Sequence, residues 1–172
     1  MLAMKKITIL FFSILFIGNT VNAQLKIGYV DSESIMKQLP DAQDAQKKID
    51  AFIQEWQEEI AKMQAEWKKQ YKEYENRKLI MSNQKRAEVE KELVALEDRI
   101  QEFKQKKFGV NGELFQKQEE LMKPIQNKIF NAIKEVAEEN DLDFVFDRSG
   151  DLIFLYAKEE YDITSLVLEK LQ

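Results

Sequence analysis

Cysteine and histidine are both missing from this sequence, and it contains only two prolines and five glycines. Without cysteine there is no disulfide framework, no thiolate nucleophile and no lipid-modified cysteine. Without histidine as well there is no imidazole base and no usual structural zinc site. Adjacent carboxylates such as Glu58 with Glu59, or Glu119 with Glu120, point to different sides of a helix and do not converge for acid–base work. No Gly-rich phosphate loop is present. We therefore expect no enzyme, no cofactor and no metal.

Long apolar runs are scarce too. The longest, Ile7–Ile17, falls short of the roughly 20 residues that span a bilayer as a helix. It follows Lys5 and Lys6, stops at Gly18 and Asn19, and precedes small residues at Val21 and Ala23. This is the pattern of a cleavable signal peptide over residues 1–23, with the exported chain starting at Gln24. The destination is a periplasm or an extracellular space.

Between Pro40 and Pro124 there is no proline, and the only glycines are Gly109 and Gly112. Glu, Lys, Gln and Ala dominate that interval, which is the composition of long helices. Apolar residues fall at Ile49, Ile53, Trp56, Ile60, Met63 and Trp67, in alternating gaps of four and three, and continue to Tyr71 and Tyr74. That spacing predicts a coiled-coil seam. After "MSNQK" a second seam runs through Val89, Leu93, Leu96, Ile100 and Phe103, skips Lys107, and continues at Val110 and Leu114. The two seams match if the chain reverses at Met81–Ser82, where Ser82 or Asn83 can cap the returning helix. Ile49 then meets Leu114, Ile53 meets Val110, and Tyr74 meets Val89. Trp56 faces Lys107, whose stem lies on the indole with its ammonium in solvent. Residues 41–140 thus form an arm of roughly 60 Å, with its tip near residues 81–83 and a weak point at Gly109 and Gly112.

The anchor comes from the chain ends, residues 24–40 and 141–172. "KIGYVD" reads as a strand, and "DFVFDRSGDLIFLYA" as two strands joined through Ser149 and Gly150. Asp162 or Thr164 can cap a last amphipathic helix. Asp31, Asp143, Asp147 and Asp151 sit near the predicted strand ends, and we read them as turn and capping residues in preference to a calcium site. The expected fold class is α+β: a long antiparallel helical hairpin on a small β body. Ile27, Tyr29, Phe144, Phe146, Ile153 and Leu155 are the expected body residues. So few strands bury little surface alone, so completion by oligomerisation is expected.

"KIGYVD", the charged hairpin, "PIQNKIFNAIKEVAEENDLDFVFD" and "YDITSLVLEKL" together resemble the Skp/OmpH family of periplasmic chaperones over essentially the whole exported chain. Pro124, Ile133, Val136, Ala137, Asp143, Val145 and Asp147, followed by Asp162, Ile163 and Thr164, carry the likeness. The resemblance implies a homotrimer whose strands form a shared β body, with three arms around a central cavity. It also implies an ATP-independent role: holding unfolded outer-membrane β-barrel proteins before membrane insertion.

Over residues 62–107 there are 13 basic and 9 acidic residues, a balance of +4, whereas the chain from residue 24 has 24 basic and 31 acidic, leaving −11 elsewhere. The arm tip is basic and the body acidic. Relatives with strongly basic arms suit anionic lipid surfaces; this chain keeps the polarity but not the overall sign, and no lipid-binding residues are carried over. Net negative charge and the export signal disfavour nucleic acid. Phe52, Phe108 and Phe115, beside the seam, are the candidate client contacts, with Trp56 next to them. Lys104, Lys106 and Lys107 are the candidate basic contacts, weighed against a plain solvated helix face. The rival reading is a secreted coiled-coil scaffold of the cell envelope, which would bind one folded partner.

Overall fold

A computed structural model describes residues 25–150 and 154–172. Strand β1 (Ile27–Val30) leads into helix α1 (Ser32–Gln38), whose N-terminus is capped by Asp31 accepting from the Ser34 amide at 2.8 Å. After Leu39 the chain enters α2 (Pro40–Arg77), with Pro40 in the first turn, where its missing N–H costs nothing. The 38 residues of α2 give a rod of roughly 57 Å. The chain reverses through residues 78–82 and returns as α3 (Asn83–Phe108). Ser82 caps α3 by accepting from the Lys85 amide at 3.2 Å. The predicted tip and its capping residue are both found.

The seam is present as well. Ile49, Trp56, Leu93, Leu96 and Ile100 are buried along it. Tyr74 donates to Glu90 near the tip and Lys107 lies over Trp56 near the base, so both ends hold the predicted register. One expected partner is not in it. Val110 is 90% exposed, because the returning helix stops at Phe108 and restarts only at α4 (Glu113–Glu139). The link between them contains Asn111 in the left-handed region, at φ 59°.

The roots of α2 and α4 join α1 and the last helix, α5 (Thr164–Leu171), in one hydrophobic core. Ile35, Ala42, Ala45, Ile129, Val136 and Val167 lie at its centre. Small Ala42 and Ala45 let the helices approach closely, and Ile35 and Val167 are fully buried. Asp162 accepts from the Thr164 amide at 2.9 Å just before α5, but the N-cap position falls on Ile163, so neither Asp162 nor Thr164 is the side-chain cap expected from the sequence.

β1 pairs in parallel with β2 (Phe144–Asp147), from Ile27 opposite Phe144 to Val30 opposite Asp147. On its other side β1 meets the Asp162–Ile163 stretch, where the Ile163 amide donates to the Tyr29 carbonyl at 2.9 Å. Gly28 sits at a close approach, where a Cβ would lie 2.8 Å from Leu142 Cδ1 and would push that side chain aside. The sequence predicts a further strand after the turn at Ser149 and Gly150. Among the described residues there is none, and Phe154–Ala157 run as irregular chain. Phe154 turns its ring onto the sheet face instead, beside Tyr29 and Phe146. The expected signal peptide and Ile153 lie outside the described residues.

Candidate functional site

Two apolar surfaces stand out, one on the sheet and one at the base of the arm. In β1 and β2 side chains alternate between faces. Val30 and Val145 turn to the helices, while Ile27, Tyr29, Phe144 and Phe146 share the opposite face. Phe144 stacks near Phe146 at 6.5 Å, and Phe154 sits 5.8 Å from Tyr29 and 6.4 Å from Phe146. Phe144 is 54% exposed, so within one chain this face is unfinished. Beside it lies a cavity of about 720 Å³ lined by Leu25, Leu142, Tyr156 and Tyr161 among others. Four predicted body residues therefore converge on one face. Leu155 projects into solvent away from them, 97% exposed, because no strand carries it back to the sheet.

Hydrogen bonds fix the ends of this sheet. Asp143 accepts from the Lys26 amide at 2.8 Å, and Asp147 accepts from the amides of Ser32 at 3.2 Å and Ser149 at 3.0 Å. Burial pushes the Asp147 carboxyl up, but the hydrogen bonds from Ser32 and Ser149 outweigh it and hold the group below the usual carboxylate range. Asp31 thus caps a helix and Asp147 closes a turn, as read from the sequence, whereas Asp143 ties the start of β2 to the residue before β1; Asp151 lies outside the described residues. Among the described residues no group of acidic side chains is arranged to hold a metal ion.

At the base of the arm three of the predicted contact residues, Phe52, Phe108 and Lys107, meet around the indole of a fourth, Trp56. Phe52 stacks on Trp56 with ring centroids 5.8 Å apart, and Phe108 meets Trp56 edge-on at 5.8 Å. Lys107 Nζ lies 4.6 Å from the Trp56 ring centroid and 5.6 Å from that of Phe103. Its ammonium is not in solvent as the sequence suggested: the side chain is only 16% exposed and is paired with Glu113. That hydrogen bond from Lys107 holds the Glu113 carboxyl below its ordinary range. Lys106 reaches the other Glu113 oxygen at 3.6 Å from an exposed position, and Lys104 is half-buried beside Trp67 and Ile100. Phe115 is exposed in the first turn of α4, and Phe108 and Val110, on the other side of the break, are exposed as well.

A feature missed from the sequence is the apolar pair left bare at the tip. Leu79 and Ile80 are 89% and 84% exposed between Arg77, Lys78, Lys85 and Arg86. Their place in the turn, where neither seam can cover them, was the signal available.

A long hairpin, helices gathered at its root and a two-stranded parallel sheet define an elongated mostly helical protein built for surfaces. The profile of the family described as Outer membrane protein (OmpH-like) matches residues 26–171, and this chain belongs to that family. Among solved structures it resembles an OmpH-like protein of Caulobacter crescentus CB15, whose proposed role is that of an outer membrane chaperone. The TM-score is 0.69 at 15% identity, over 90% of this chain and 88% of the other. That likeness concerns the fold. No curated protein matches the chain. Among the described residues no helix is long and apolar enough to cross a membrane.

Proposed function

We propose that this protein is a periplasmic, ATP-independent holdase that keeps unfolded outer-membrane β-barrel proteins soluble before their insertion, and that it works as a homotrimer. Membership of the OmpH-like family supports a chaperone role. The observation that carries the finer reading is the exposure of three apolar residues, Phe108, Val110 and Phe115, close in sequence at the base of a long two-helix arm. Several weak apolar contacts on such an arm hold many sequences without selecting one. The outward face of Ile27, Phe144 and Phe146, with the outer edge of β2 unpaired among the described residues, supports self-association. Three bodies meeting there would set three arms around a shared space. Basic tips on an acidic protein give the arms an electrostatic bias toward acidic stretches of a client.

Light scattering tests the reading. A urea-unfolded outer-membrane barrel protein diluted into buffer should aggregate alone and stay clear with the protein present. Undiminished aggregation would remove the reading. The scaffold alternative draws on one observation, the exposed Leu79 and Ile80 at the tip, which offer a folded partner a docking point. It predicts no effect on client aggregation.

A further inference from the structure

We infer that the break between α3 and α4 is a hinge held shut by a latch, Lys107 to Glu113 across the face of Trp56, and that opening it uncovers the indole as a masked holding surface for an unfolded apolar chain. The masked surface deepens the holdase reading and rests on it; the hinge and its latch do not.

The discontinuity of the arm is confined to one side. Helix α2 runs unbroken past this level, whereas the returning chain stops at Phe108 and restarts at Glu113. The link is shaped by close approaches: a Cβ on Gly109 would lie 2.3 Å from the Gln105 carbonyl oxygen, and one on Gly112 2.9 Å from the carbonyl oxygens of Lys106 and Gly109. Val110 lies in solvent and contributes no packing. On rearranging, the link gives up local backbone hydrogen bonds, from Gly109 N–H to the Gln105 carbonyl and from Gly112 N–H to the Gly109 carbonyl, both at 2.9 Å, but no buried side chain of Val110.

What crosses the break is mostly electrostatic. Lys106 and Lys107 end α3 and Glu113 begins α4, so each charge suits its own helix terminus and the two termini are tied by their side chains. Exposed ion pairs contribute little, but this one is largely withdrawn from water and its cation also rests on Trp56 and Phe103. Trp56 is as buried as a core residue, although a two-helix seam leaves part of any ring open. Its remaining cover is Lys107, Phe52 and Phe108, all of them side chains beside the seam. Lys117 lies 5.7 Å over Phe52, which adds a second cation from α4 to the same cluster.

The test uses the protein with Trp67→Phe, which leaves Trp56 as the sole tryptophan, and compares Glu113→Gln and Lys107→Met with the control Glu88→Gln, which breaks an exposed ion pair with Lys85 near the tip end of α3. Without client, acrylamide quenching of Trp56 and amide exchange over residues 105–116 are measured. Loss of the latch should raise the exchange rate about fivefold and increase quenching, with helical circular dichroism unchanged and the control silent. Unchanged quenching and exchange in both latch variants would overturn the hinge, and so would equal changes in the control. Should one latch variant fail to fold, the other carries the same comparison. With client added, the open variants should hold it at least as tightly as the parent; weaker holding with normal opening would overturn the masked surface alone. Parent protein that binds no client, with the latch variants still opening, would instead count against the holdase reading.

Discussion

Tyr29 and Phe146 face each other in the parallel ladder, and both rings turn away from the helices toward Phe154. The body therefore carries two apolar faces: the one against the helices is covered, whereas Phe154 covers the other only in part and leaves Phe144 and Phe146 exposed. Replacing Phe144 and Phe146 together by serine should leave the helical core intact and reduce self-association. Helical circular dichroism near that of the parent and a sedimentation coefficient falling to the monomer value are the expected pair. An unchanged oligomer would place the contact elsewhere.

The covered face depends on residues that no partner can replace. Ile35 and Val167 are fully buried where α1, α4 and α5 meet. Ile35→Ala should cost about 3 kcal/mol, for the lost methyl groups and the cavity they leave. Thermal unfolding would show this as a clear fall in Tm, whereas Leu155→Ala, at an exposed position, should leave Tm unchanged.

Asp147 links the end of β2 to the start of α1. Its carboxyl is held below the usual range, so the stability it contributes is present above its unfolded pKa and is lost as pH falls through the folded value. Thermal stability should therefore be flat near neutrality and decline below about pH 4. Asp147→Asn removes the charge but keeps part of the hydrogen bonding; because the group is largely exposed, the cost at neutral pH should be about 1 kcal/mol. The acid decline should flatten in the variant.

Trp67 stacks on Tyr71 at 5.0 Å and 8°, but its buried Nε1–H finds no acceptor. Phenylalanine keeps the stacking and removes an unsatisfied donor, so Trp67→Phe should change Tm little, with a cost below about 1 kcal/mol. A large loss would show that the indole's bulk matters more than its unpaired N–H.

The hairpin was the most legible part of the sequence. Gaps of four and three repeat from Ile49 to Trp67, and Ser82 marks a helix start in a stretch otherwise free of breakers. Such local signals do not depend on distant contacts. The pairing of β1 with β2 is separated by the whole arm and left no local trace beyond two short apolar runs. The turn at Ser149 and Gly150 suggested a hairpin strand after β2, but Phe154 spends its apolar surface on the sheet face rather than on a ladder. Periodicity also carried Val110 into the seam, while the glycines on either side of it were the truer signal that the helix ends there. Lys107 was placed on Trp56 from spacing alone. Its pairing with Glu113 is not legible in the sequence, because that contact exists only once the chain turns between α3 and α4.

The most direct test of the account is sedimentation velocity on residues 24–172, alone and after dilution of a urea-unfolded outer-membrane barrel protein into the sample. The account predicts a slowly sedimenting, elongated trimer that takes the client into a soluble complex. A protein that sediments unchanged while the client aggregates beside it would contradict the holdase function, and a compact monomer would contradict the shared body.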